Sequence, residues 1–272
     1  MEMIWKACLQ GIVQGITEFL PVSSTGHLIL SGHFMDMGNG AFVTMFNVVI
    51  QLASILAVVI CFHDKLIPKA MFSDNTIRQK TFGIWIRTIL GVLPILIIGF
   101  LVKDLVEKMQ SMVPVVACAL FLGGVILIRV ERSRKEGREK YTQPEQIPIK
   151  TSIYIGLIQC IAMIPGVSRS GATIVGALAL GCSRTAAAEY SFFLAVPTMA
   201  AASGYSLLKY GTGLSSAEWI TLGVGFAVSF LVSWGVIAFL MRYIRTRSFE
   251  IFGYYRILLS AAVLIHYLFF RS

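Results

Sequence analysis

Six apolar stretches run through this chain at roughly 43–62, 85–103, 112–129, 186–208, 217–240 and 251–270. Each approaches or exceeds the ~20 residues that cross about 30 Å of hydrocarbon. No other feature restricts the possible folds as severely. In lipid every backbone N–H and C=O has to be paired within the protein, which leaves helices or closed barrels. The stretches are continuous and lack the period-two alternation of barrel strands, so a barrel is excluded. Composition agrees: of 272 residues 56% are hydrophobic and 14% charged, and the mean hydropathy is +0.77, whereas soluble domains carry about 25% charged residues. The sequence predicts an all-α polytopic membrane protein.

A duplication divides the chain. Residues 11–29, GIVQGITEFLPVSSTGHLI, align with residues 156–174, GLIQCIAMIPGVSRSGATI, with the prolines one residue out of register and a shared core Val-Ser-x-Ser/Thr-Gly. In each copy an apolar segment runs into a proline, then a Ser/Gly cluster, then another short apolar segment. Pieces of about 10 to 14 residues are too short to span, and irregular backbone at membrane depth survives only where protein or water satisfies it. Each copy therefore predicts a re-entrant helical hairpin, at about 3–35 and about 151–181, followed by three transmembrane helices. Three spans per half is an odd number, so an inverted-topology repeat is expected, with its site at the repeat interface. The halves are then 1–130 and 151–272. The basic segment 131–150 reads as a solvated cytoplasmic linker.

The net charge of +9 follows from topology rather than from a nucleic-acid partner, and none is expected. About 16 of the 23 Lys and Arg lie in the gaps 63–87, 129–150 with 184, and 241–247, while the opposite side holds about five: Lys6, Lys103, Lys108, Lys209 and Arg271. The positive-inside rule places the first set in the cytoplasm. Both termini and the first hairpin are then expected to open to the outer face, and the second hairpin to the inner face. The five cysteines, Cys8, Cys61, Cys118, Cys160 and Cys182, are odd in number and lack metal-type spacing, so they read as small buried residues. The start, MEMIWKACLQ, has no basic n-region or cleavage site and is expected to remain as structure. Small residues such as Gly11 and Gly15 predict close helix packing, within the chain or in a homodimer.

Several polar residues are embedded in this apolar frame. Gln14 and Glu18, four apart, share a helix face. An ionisable group inside an apolar segment is a functional candidate by default, and the neutral Gln14 serves equally as an interhelical hydrogen-bond partner. In PVSSTGH, the hydroxyls of Ser23, Ser24 and Thr25 stand where they cap a helix start. Gly26 permits close backbone approach, the helix N-terminus attracts anions, and His27 exchanges protons near neutral pH, a combination suited to phosphate. A hydroxyl such as Ser24 beside a potential base also fits a covalent phosphoryl intermediate. In PGVSRSGAT, Ser168, Arg169, Ser170 and Gly171 open a second half-helix. The planar fork of Arg169 matches phosphate oxygens and stabilises a phosphoryl-transfer transition state; a purely structural pair with Glu18 is the alternative. Glu189 is a further embedded charge, and complementing its helix dipole is its simpler role. Together these residues point to a phosphorylated substrate whose tail stays in the bilayer. The same parts also suit a secondary transporter or flippase of a lipid phosphate or small anion. A carrier tolerates Ser24→Ala, whereas a hydrolase that uses the hydroxyl does not.

At QGITEFLPVSSTGH, NVVIQLASILAVV, PGVSRSGATIVGALALG and AAAEYSFFLAVP the sequence closely resembles the undecaprenyl-diphosphatase, or bacitracin-resistance protein, family of bacteria. The resemblance covers essentially the whole chain. It implies a phosphatase of the cytoplasmic membrane that removes the terminal phosphate of undecaprenyl diphosphate, recycles the lipid carrier for cell-wall synthesis and confers bacitracin resistance. It also implies a divalent metal, Mg2+ or Ca2+. The family's Glu/Gln-x-x-x-Glu element falls on Gln14 and Glu18, its serine nucleophile on Ser24, its histidine on His27 and its essential arginine on Arg169. Gln14 removes one carboxylate from the metal's donors. The ion is then expected to touch Glu18 and to arrive held largely by the diphosphate, with weak affinity in its absence.

Overall fold

Helix α1 (Glu2–Thr17) turns its large apolar side chains outward. Ile4, Trp5, Leu9, Ile12 and Ile16 are exposed, while Ala7, Gln10, Gly11, Gln14 and Gly15 are buried. This reverses the pattern of a soluble amphipathic helix. It is what a lipid solvent permits, because apolar surface gains nothing by leaving it and helices associate through small residues and hydrogen bonds. The computed structural model describes residues 2–32, 37, 40–110, 112–135, 137–211 and 213–269. Arg271 and the last residues of the expected first hairpin lie outside them.

After a break at Glu18–Ser23 the chain continues as α2 (Ser24–Gly32), α3 (Ala41–Cys61), the single turn α4 (His63–Leu66), α5 (Asn75–Gln110) and α6 (Val113–Ser133). The second half holds α7 (Ile149–Gln159), a 3-10 turn over Cys160–Met163, α8 (Arg169–Ala179), α9 (Arg184–Tyr210), α10 (Ser216–Tyr243) and α11 (Glu250–Phe269). Among the described residues, helices α3, α5, α6, α9, α10 and α11 are the six long and apolar enough to cross a membrane, so the protein is a polytopic membrane protein. Their limits fall close to the apolar stretches except at α5, which extends the expected 85–103 to 36 residues. Hydropathy marks only the lipid-facing length, and its polar ends continue the same helix into the loops.

The packing repeats across the two halves. Helix α1 lies on α10 as α7 lies on α5, and α2 touches α11 as α8 touches α6, while α3 meets α9 and α6 meets α11. Exchanging the halves exchanges these contacts. The crossings are glycine-based at equivalent positions: a Cβ on Gly11 would stand 2.7 Å from Gly225 O, and one on Gly156 only 1.9 Å from Gly91 O. A serine ladder adds polar glue between α3 and α10, with Ser233 Oγ donating to Ser54 Oγ at 2.8 Å and Ser229 Oγ to Ile50 O at 3.0 Å.

The linker differs from the expected free tether. The amides of Lys140 and Tyr141 donate to Gly181 O at 2.9 and 3.2 Å, and Ser183 N donates to Tyr141 O at 2.8 Å. Arg134 and Arg184 converge on the buried Glu131. The segment is thereby docked on the α8–α9 turn, because Glu131 would otherwise be a buried charge without a counter-ion. All five cysteines are free thiols. Cys182 in that turn is fully buried, and burial pushes its thiol up to about 12. The other four depart from the expectation of burial: Cys8, Cys61 and Cys160 are half-buried and Cys118 is exposed on α6, where lipid accepts a small apolar thiol.

Candidate active site

Both hairpins break at a serine in the left-handed region. Ser23 has φ 70° and Ser168 φ 69°, the only positive-φ non-glycine residues among those described, and they occupy equivalent positions of the duplicated motif. Such a conformation costs about 1–3 kcal/mol and persists only where its surroundings impose it. At Ser168 the hydroxyl accepts from Gly171 N at 3.1 Å and the carbonyl from Ala172 N at 3.0 Å. At Ser23 the carbonyl accepts from Nδ1 of His27 at 2.7 Å. Helices α2 and α8 therefore begin one residue later, at Ser24 and Arg169, and their first residues line one cavity of about 160 Å3. Glu18, Ser23, Ser24 and Thr25 line it from the first hairpin, Ser168 and Arg169 from the second, and Gln51 from α3. Two helix N-termini, each carrying about half a positive charge, thus face the same small volume.

The charged centre of the cavity is a pair between the halves. Arg169 donates through Nη2 to Oε1 of Glu18 at 2.8 Å and through Nη1 to Ser191 O at 2.8 Å. The other carboxylate oxygen accepts from Nε2 of Gln14 at 2.6 Å, as the i, i+4 spacing predicts. Arg169 Nε is buried and has no partner. An unpaired donor costs about 1–3 kcal/mol, more on a charged group. The hydroxyls of Ser24 and Thr25 and the amide of Gln51 line the same space and make no hydrogen bond among the described residues.

Other expected site residues stand elsewhere. Ser170 is buried and donates to Leu20 O at 3.2 Å, tying the motifs together rather than lining the cavity. Gly171 N donates to the Ser168 hydroxyl that caps α8, and Gly26 faces Leu120 of α6, whose Cδ1 lies 2.8 Å from where a Cβ would be. His27 is not on the cavity wall; its Nε2 meets the Tyr255 hydroxyl at 2.7 Å and its ring stacks on that residue. Because a carbonyl can only accept, its Nδ1 carries a proton toward Ser23 O. Glu189 lies away from the cavity, paired with Lys65 Nζ at 2.6 Å. It sits only a turn inside α9, within reach of the basic loops.

Two residues escaped sequence reasoning. Gln51 is a polar residue in the run NVVIQLASILAVV, and its position within an apolar span was the available signal. Arg256, in YYRILLSAAVL, is 1% exposed and donates only to backbone carbonyls, at Ala119, Leu120, Pro21, Gly166 and Val167. The implied divalent metal does not fit a site built by protein alone. Glu18 is the one carboxylate lining the cavity and both its oxygens are engaged, and no group of three His, Cys, Asp or Glu comes together among the described residues.

A broken-helix membrane protein whose two hairpins bring an arginine, a carboxylate and several hydroxyls to one pocket at a pair of helix N-termini has the parts to bind an anion. Residues 7–262 match the family model for bacitracin resistance protein BacA, and the chain belongs to that family. It is 48% identical over 265 residues to undecaprenyl-diphosphatase 1 of Clostridioides difficile (strain 630), covering 97% of this chain and 96% of that one. It is 46% identical to undecaprenyl-diphosphatase of Enterococcus faecalis, over 96% of each chain, and 43% identical to that of Acetivibrio thermocellus, over 98% of each.

Proposed function

We propose that this chain hydrolyses undecaprenyl diphosphate to undecaprenyl phosphate and inorganic phosphate, recycling the carrier used in cell-wall synthesis and so conferring resistance to bacitracin. The observation that carries the reading is the cavity itself. Its volume of about 160 Å3 is small beside the ~300–1,000 Å3 of pockets that enclose whole ligands, so it takes a headgroup and leaves the tail outside. The loop 161–168 supports this division: Pro165 and Ser168 face the cavity, while Ile161, Ile164 and Val167 face an apolar groove of about 480 Å3 along α6.

In this reading the terminal phosphate competes with Glu18 for the fork of Arg169, the two α-helix N-termini holding the remaining oxygens. Glu18 Oε1, released from the arginine, accepts the proton of Ser24 as the Ser24 Oγ attacks the terminal phosphorus. The bond from that phosphorus to the bridging oxygen breaks and undecaprenyl phosphate departs. Water then cleaves the phosphoserine, with Glu18 returning the proton, to give inorganic phosphate. No step is assigned to His27, which the cavity does not reach. Gln14 holds Glu18 in place throughout. Trapping a labelled phosphoenzyme from wild type but not from Ser24→Ala supports the covalent route. An active enzyme that never yields one implies direct attack by water, with Ser24 only binding phosphate.

In this proposal both termini and the first hairpin open to the outer face of the cytoplasmic membrane and the two halves are inverted, a reading that the distribution of Lys and Arg supports.

A further inference from the structure

We infer that Arg256 is a positioning residue that sets the register of the two hairpins against each other, an inference that rests on the phosphatase reading above. Its guanidinium lies between equivalent points of the duplicated motif. Nη1 donates to Pro21 O at 3.3 Å and Nη2 to Gly166 O at 3.1 Å, each two residues ahead of a left-handed serine. Nη1 also donates to Val167 O at 2.9 Å, while Nε and Nη2 reach Leu120 O at 3.4 Å and Ala119 O at 3.2 Å on α6.

One side chain thus satisfies carbonyls on three segments: the first break, the second break and a spanning helix. Those of Pro21, Gly166 and Val167 belong to the irregular backbone of the two breaks, whose carbonyls need a partner at membrane depth. The cation has no carboxylate within ion-pair distance among the described residues, so the carbonyl dipoles are its whole counter-charge. Two glycines make room for it. A Cβ on Gly123 would lie 2.1 Å from Nη2, and one on Gly171 2.9 Å from Nη1. Arg256 touches no cavity-lining side chain in its hydrogen bonds, so it acts through the loops. It fixes Ser23 with Ser24 against Ser168 with Arg169, and a displacement of about 1 Å between such groups costs on the order of 100-fold in rate.

The test measures phosphate release from undecaprenyl diphosphate and melting temperature for purified wild type, Arg256→Met, Arg256→Lys and Gly123→Ala. Expected is a fall in kcat of about 100-fold for Arg256→Met with KM changed by less than about threefold, and partial recovery in Arg256→Lys. Gly123→Ala keeps the charge and pushes the guanidinium off its carbonyls, since a Cβ there stands 2.1 Å from Nη2 and 2.8 Å from Cζ; it should lose about tenfold in kcat in protein that still folds. It decides the matter if Arg256→Met does not fold. A purely stabilising arginine predicts lower melting temperatures but wild-type kcat in the folded fraction of both variants, and that result overturns the assignment. Absence of turnover in wild type itself overturns the phosphatase reading and this inference with it.

Discussion

Arg169 and Glu18, 151 positions apart in the chain, close a 2.8 Å ion pair across the two hairpins at the floor of a cavity that also presents the hydroxyl of Ser24. Both partners are largely withdrawn from solvent, at 13% and 6% side-chain exposure. Taking two charges out of water costs several kcal/mol per ion, and a bare pair seldom repays it in stability. The pair is better explained as a poised anion site, with the carboxylate standing in the place that a phosphate oxygen takes when substrate binds.

Arg169→Lys keeps the charge and loses the planar fork that reaches Ser191 O and Glu18 together. Phosphate release should fall about 10²–10³-fold in protein that still folds. Turnover assays on variants matched for detergent elution volume check this, and a loss below about threefold contradicts it.

Gln14→Glu exchanges the donor at 2.6 Å from Glu18 Oε2 for a second carboxylate. Wild type, with one engaged carboxylate, should bind Mg2+ or Ca2+ more weakly than about 1 mM in the absence of substrate. The variant should bind either ion more tightly, since two adjacent carboxylates repel each other and a cation relieves that repulsion. Calorimetric titration of substrate-free protein measures both, and equal affinities contradict the account of the cavity's donors.

Ser24→Ala and Ser168→Ala should separate chemistry from capping. The Ser24 hydroxyl makes no hydrogen bond among the described residues, so its removal should leave the melting temperature within about 2 °C while abolishing turnover. Ser168 Oγ caps Gly171 N, and losing a cap costs about 1 kcal/mol, or about 2–4 °C for a chain of this size. Thermal melts alongside phosphate release distinguish the two.

Gly156→Ala places a methyl 1.9 Å from the Gly91 carbonyl, where only a shift of whole helices gives room. Overpacking of this kind costs about 1–3 kcal/mol or more, so folded yield should collapse. Gly204→Ala, whose Cβ would meet nothing within 4 Å, should be neutral or slightly stabilising in its helix. Comparison of detergent-solubilised yields and melts tests the pair.

The spans were readable because lipid rewards uninterrupted apolar length, and the breaks because proline and a Ser/Gly cluster interrupt it in both halves. Glu18, Ser24 and Arg169 were readable for a related reason: polar groups at membrane depth need a purpose. The left-handed geometry of Ser23 and Ser168 was not, since the Ser/Gly pattern marks a break without fixing which residue takes the positive φ. Nor was the placement of His27, where a neighbouring serine in sequence counts for less than Tyr255, 228 positions away, in space. Arg256 was visible as a lone cation in an apolar run, but its partners are backbone carbonyls, which no residue pattern records. Glu189 carried the same signal as Glu18. Its ion pair with Lys65, 124 positions away, is a contact that no residue pattern records.

The most direct measurement is release of inorganic phosphate from undecaprenyl diphosphate by purified protein in detergent, for wild type, Glu18→Ala, Ser24→Ala and Arg169→Ala, with Mg2+, Ca2+ or chelator. The account predicts robust wild-type turnover and its loss in all three variants while they remain folded. No release by well-folded wild type under any of these conditions would contradict it and leave a carrier for a lipid phosphate as the better reading of the same cavity.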